Sequence, residues 1–75
     1  MLAPNPVVDK LTISVDDRID RIQIYNIKGQ LQKEFQMYNS NKKKHLLNLV
    51  GLKQGIYIVI VSNDVFQMQG KFVNL

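Results

Sequence analysis

Residues 55–62, Gly-Ile-Tyr-Ile-Val-Ile-Val-Ser, constrain this chain more than any other stretch. The run is almost wholly apolar and carries β-branched side chains at Ile56, Ile58, Val59, Ile60 and Val61. Branching at Cβ restricts χ1 and suits the pleated surface of a strand. A strand of this kind left open to solvent would template aggregation. Residues 55–62 are therefore expected to form a central strand covered on both faces or closely enough, with Leu52-Lys53-Gln54-Gly55 as the turn that delivers the chain into it. The remaining residues must supply partner strands and a covering layer.

With 75 residues the chain makes one domain at most. A chain of this size buries roughly 60% of the surface its unfolded form exposes, which permits independent folding with little margin. It has no cysteine, so neither disulfides nor thiolate sites contribute. No 18-residue apolar span is present, so no segment reads as a transmembrane helix. The first six residues, Met-Leu-Ala-Pro-Asn-Pro, lack a basic n-region and a long apolar h-region and do not read as a signal peptide. Residues 1–3 read as a linker remnant and residues 4–75 as the domain.

Pro4 and Pro6 fix φ and bias their predecessors toward extended backbone, so Pro4-Asn5-Pro6 is a rigid, non-helical entry. Leu11-Thr12-Ile13-Ser14-Val15 alternates apolar and polar residues, as a half-buried strand does. A second strand spans residues 19–26, with Ile22 and Ile24 on one face and Arg21, Gln23 and Tyr25 on the other. Asn26-Ile27-Lys28-Gly29 is a hairpin signal, on the ground that Asn and Gly tolerate positive φ. The third strand, residues 30–37, puts Leu31, Lys33, Phe35 and Met37 on one face. Lys33 interrupts that face and predicts an edge position or a twist. Residues 38–44 read as a long loop, and residues 45–49 as a short strand. After the central run and a turn at residues 62–64, a last strand over residues 65–73 puts Phe66, Met68, Gly70 and Phe72 on one face. Gly70 suggests a bulge or a close backbone approach. About six strands, with turn signals every ~8–12 residues and short connections, predict an all-β, antiparallel two-sheet sandwich, with a small closed barrel as the alternative.

Three segments resemble a known family when taken in order. Pro4-Asn5-Pro6 with Leu11-Thr12-Ile13 is similar to its opening motif. Residues 22–30, which include Tyr25, Asn26, Gly29 and Gln30, are similar to its hairpin. Leu52, Gly55, Tyr57 and the apolar run after them are similar to its central strand. Together they resemble the type A C-terminal sorting domain of the type IX secretion system, also called the Por secretion system. The resemblance implies a small antiparallel Ig-like β-sandwich of about six to seven strands, covalently fused behind an N-terminal cargo protein of a Gram-negative bacterium. It implies that the cargo passes through the periplasm. The outer-membrane translocon then recognises the domain and exports the cargo to the cell surface or the extracellular medium. In many cases a sortase-like protease removes the domain there. The domain itself is implied to be an address and not an enzyme, with no cofactor.

The last strand is the expected carrier of the signal, through Gln69, Gly70, Lys71, Phe72 and Val73. The other motif residues, Pro4, Asn5, Pro6, Tyr25, Asn26, Gly29, Gln30, Leu52, Gly55 and Tyr57, are expected to be mainly structural. The chain departs from the family's pattern at Ala3, Asn48, Val50 and the Asn74-Leu75 ending.

Competing readings are weaker. An Ig-like accessory module binding carbohydrate or another cell-surface partner would use Tyr25 or Tyr57, although such tyrosines ordinarily sit at a core rim with a wet hydroxyl. The formal charge of +4 is concentrated at Lys42-Lys43-Lys44, which could meet phosphate groups. Nucleic-acid binders usually interleave aromatics with such lysines, and only Tyr38 is near, so no nucleic-acid partner is expected. His45 is the only histidine, and Asp9, Asp16, Asp17 and Asp20 lack calcium-loop spacing, so they read as turn and surface residues and no metal site is expected.

Overall fold

Central-strand alternation organises the observed structure. The computed structural model describes the backbone of residues 2–37 and 43–75, and the side chains of residues 8–37 and 43–75. The elements are β1 (Leu2–Val8), β2 (Lys10–Ser14), β3 (Arg21–Asn26), β4 (Leu31–Gln36), β5 (Lys44–Asn48), β6 (Gly55–Ser62) and β7 (Gln67–Asn74). Their spatial order is β4-β3-β6-β7-β1-β2-β5. β6 lies between β3 and β7, pairing antiparallel with β7 along its whole length and with β3 from Tyr57 to Ser62. β2 pairs antiparallel with β5 to form the second layer. β1 joins the layers, pairing antiparallel with β2 and touching β7 in parallel at Val7 and Asn74.

One core fills the space between the layers. β2 contributes Leu11 and Ile13, β3 contributes Ile22 and Ile24, and β6 contributes Tyr57, Val59 and Val61. Leu47, Leu49, Val15, Ile19 and Phe72 complete it, with Phe35, Met37 and Leu52 packed at its margin. The predicted two-sheet sandwich is thus observed, and the inward faces predicted for the strands at Leu11 and Ile22 are the buried ones.

Some expectations change. The N-terminal prolines do not merely lead into the fold, because residues 2–8 form a seventh strand. Leu2 and Ala3, read as a remnant, pair with Ile13 and Thr12. β6 is not covered on both faces. Tyr57, Val59 and Val61 are buried, whereas Ile58 and Ile60 are half-buried and Ile56 is 45% exposed on the outer face. The long side chains of Gln23, Gln69 and Lys71 stand opposite Ile60 and Ile58 and shield them in place of a further layer. Gly70 marks no bulge, for the β6–β7 register runs unbroken from Gly55↔Asn74 to Ser62↔Gln67.

β4 is an edge strand, as Lys33 predicted. The register slips between Ile24↔Lys33 and Tyr25↔Leu31, which inserts Gln32 as an extra residue and moves Leu31 to the outer face, where it is half exposed. The loop expected over residues 38–44 lies outside the described residues from 38 to 42. Lys44 belongs to β5, and the Lys43 carbonyl accepts a hydrogen bond from the Val15 amide at 2.9 Å.

Turns are set by side-chain oxygens more than by positive φ. Asn26 Oδ1 accepts from the amides of Lys28 and Gln30, both at 3.0 Å, while Gly29 takes φ +82°. Asn26 itself is not in the positive-φ region, so it acts through its amide group and not through backbone tolerance. Asn63 works likewise, accepting from Val65 and Phe66 and donating to the Arg18 carbonyl at 2.6 Å. Asp9, at φ 65°, is the single residue that reverses the chain between β1 and β2.

Arg18 bonds Asp64 at 3.0 Å and lies 3.5 Å from Asp20, tying the β2–β3 loop to the β6–β7 turn. The hydrogen bond between the two carboxyl groups holds the Asp20 pKa above its ordinary value and, with its own backbone and Arg18, holds that of Asp64 below. A raised carboxyl favours folding at low pH and a lowered one at higher pH, so the two oppose each other across the acid range. Asp64→Ala should therefore lower the Asp20 pKa in a carboxyl-detected NMR titration and leave stability at neutral pH nearly unchanged. Phe72→Ala, by contrast, removes a fully buried ring. It should cost about 3–5 kcal/mol in urea denaturation, enough to unfold a domain of this size.

Candidate recognition surface

β7 carries two sets of residues with opposite duties. Phe72 and Asn74 point inward and are buried, at 0% and 1% exposure. The Phe72 ring stacks on Tyr57 across the strand pair, with centroids 5.7 Å apart and planes 23° from parallel. Gln67, Gln69 and Lys71 are exposed, and Val73 is half-buried on the outer face.

Along residues 67–72 the described structure pairs β7 with β6 alone, since β1 reaches it at Asn74. Beside this stretch the layers part to form an apolar groove of about 260 Å³. Ile13, Val15, Val59, Val61 and Met68 line it, with Gln69, Gly70 and Lys71 along its rim. Met68 is 45% exposed there. The inward position at Gly70 carries no side chain, which leaves the groove open.

Of the five residues expected to carry the signal, Gln69, Gly70 and Lys71 meet at this groove. Phe72 is core and contacts no external molecule while the domain is folded. Val73 lies on the outer face beside Ile56. Met68 was grouped with the last strand's apolar face in the sequence, and it lines the groove half exposed.

The remaining motif residues build the end of the sandwich that receives β7. Gly55 opens β6 at φ +155°, where side chains are strained, and stands opposite Asn74. The Tyr57 hydroxyl, expected to be wet, donates to the Lys53 carbonyl at 2.6 Å. Asn74 Nδ2 donates to the carbonyls of Leu52 at 3.0 Å and Lys53 at 3.3 Å. Asn74 was legible only as a departure at the chain's end, yet it clamps the last strand to the connector between β5 and β6. Pro4, Asn5 and Pro6 lie in β1, and their side chains lie outside the described residues. Tyr25 is half-buried on the outer face, opposite Ile58.

His45 is buried, on the inward face of β5 opposite Ile13. Among the described residues no group of three His, Cys, Asp or Glu side chains converges on a metal position. Among the described residues no helix is long and apolar enough to cross a membrane.

Loss of the Asn74 clamp is measurable. Asn74→Ala should cost about 1–3 kcal/mol in denaturant unfolding, and Tyr57→Phe about 0.5–1.5 kcal/mol. Both should speed amide exchange at residues 52–55 more than in β3.

The family model described as a secretion system C-terminal sorting domain matches residues 1–74. An ulvan lyase of Nonlabens ulvanivorans is 34% identical over 68 residues, which cover 85% of this chain and 12% of that protein. The chain therefore spans about an eighth of the length of that curated relative. A match over nearly the whole chain, on a β-sandwich with the family's hairpin and central strand in place, shows that this chain belongs to the C-terminal sorting domains of the type IX secretion system, which send an attached cargo to the cell surface or beyond.

Proposed function

We propose that this domain is read by the outer-membrane translocon through the unpaired stretch of β7 and the groove beside it. The single observation that supports this placement is the meeting of an open strand edge with an apolar groove at Met68, Gln69, Gly70 and Lys71. An open edge can accept main-chain hydrogen bonds from a partner strand, while the groove accepts an apolar side chain and Lys71 an acidic one. Phe72 and Val73 contribute by holding β7 in place. The cargo passes through the periplasm before this step, and a sortase-like protease then removes the domain. The domain serves as an address and is not itself an enzyme.

Tyr57 gives little support to the carbohydrate-stacking alternative. Its ring is 5% exposed and already stacked on Phe72.

Residues 1–75 fused behind a signal peptide and a reporter test the reading in a host with the type IX system. Deleting the last five residues would remove Phe72 and Asn74 and so report on folding. Met68→Asp and Lys71→Glu change exposed positions instead. The native fusion should be exported only when the translocon is intact. Both variants should remain folded by thermal melting and be exported severalfold less. Native-level export of both folded variants would place recognition elsewhere on the domain.

A further inference from the structure

We propose that a second site, the polar cleft between the β3–β4 hairpin and the β5–β6 connector, binds an acidic oligosaccharide. The ligand class is a sugar chain bearing carboxylate, sulfate or phosphate groups. The cleft encloses about 760 Å³, within the ~300–1,000 Å³ usual for ligand sites. It lies at the hairpin end of the sandwich and shares no lining residue with the β7 groove.

Its charge is of one sign. Lys28 enters from the hairpin tip, Lys33 from the inward face of β4 and Lys53 from the connector. None of the chain's 6 aspartates and glutamates lines it. Glu34, the nearest in sequence, is on the exposed side of β4, where it accepts from Gln23 at 2.8 Å and Gln36 at 3.3 Å. The ion pairs among the described residues belong to Arg18, so no carboxylate neutralises these three lysines.

Amide groups fill the space between the lysines. Asn26, Gln30, Gln32 and Gln54 all line the cleft. Asn26 Nδ2 donates to Gln30 Oε1 at 2.9 Å, which leaves Gln30 Nε2 available. Gln32 Nε2 donates to the Gln30 carbonyl at 3.1 Å, which leaves Gln32 Oε1 available. Such donors and acceptors match the hydroxyls of a sugar. Both walls are held before any ligand arrives. The Asn26 turn fixes one, and Tyr57, Asn74 and Asn48 fix the other through the carbonyls of Leu52 and Lys53 and the amide of Val50. Preorganised walls lower the entropic cost of binding.

An acidic peptide fits less well. It would bind by adding to the free edge of β4, and the bulge at Gln32 with the inward Lys33 breaks that edge beside the cleft. A neutral sugar lacks a stacking platform here, since the Tyr57 ring is buried against Phe72. Charge must therefore supply the affinity, with amides reading the hydroxyls.

Amide-detected NMR titration of the 75-residue chain at low salt tests the proposal. Tetragalacturonate and a heparin-derived tetrasaccharide are the acidic probes, and maltotetraose and a tetraglutamate peptide are the comparisons. Either acidic sugar should give saturable shifts confined to residues 28–33 and 50–54. Maltotetraose should give none, and added salt should weaken binding. The triple substitution Lys28→Gln, Lys33→Gln, Lys53→Gln should weaken it about tenfold, and Lys43→Gln with Lys44→Gln less than about twofold. Lys28→Gln and Lys53→Gln made singly, both at exposed positions, should each weaken it by about twofold in a domain that keeps its native spectrum. No saturable shift from either acidic sugar overturns the proposal. So does undiminished binding by the lysine variants, or equal affinity for tetraglutamate.

Discussion

Every other strand takes its place from the alternation of β6. Tyr57, Val59 and Val61 turn inward, and a one-residue slip against either neighbour would exchange them for Ile56, Ile58 and Ile60. Both sets are apolar, so hydrophobicity alone does not choose between them. The choice comes from the ends of the strand. The Tyr57 hydroxyl reaches the Lys53 carbonyl only when its ring lies inside, and Gly55 must stand at the start, where φ is +155°. The register is thus set by one hydroxyl and one glycine, and the aliphatic core follows.

Asparagine does the corresponding work at the turns. Asn26, Asn48 and Asn63 each accept a hydrogen bond from the amide two residues on, a local geometry that needs no long-range contact. Such turns favour the short-range β3–β4 and β6–β7 pairings. β1 has only the Asp9 turn, which pairs it with β2. It pairs with β7 from the other end of the chain, so the join between the layers closes only when the rest of the sandwich exists.

Most of the architecture was legible because period-two alternation records which face is buried. The β3–β4 hairpin, the central strand and the edge position of β4 all follow from local pattern and from Lys33. β1 was not legible as a strand, since Pro4 and Pro6 remove two ladder donors and its parallel partner is some seventy residues distant in sequence. How the outer face of β6 is covered was not legible, because a run of β-branched residues does not say whether a second layer or merely long neighbouring side chains will shield it. Residues 67–73 were legible as a strand but not as part of a surface. Gln69, Gly70 and Lys71 gain their setting from a groove that Ile13 and Val15 wall off, and nothing local to residues 67–73 foretells that. Asn74 was missed because a polar residue next to a chain's end resembles surface, and only the fold shows it 1% exposed.

The alternation of β7 also explains how one strand can both complete a core and present a surface. Phe72 and Asn74 are committed to packing and to the clamp on the connector, so their replacement disturbs every function of the domain at once. Gln69 and Lys71 lie on the other face and contribute little to the core. Gly70 stands between them on the inward side, and its missing side chain keeps the groove from closing. Separation by strand face allows the exposed positions to diverge without loss of fold.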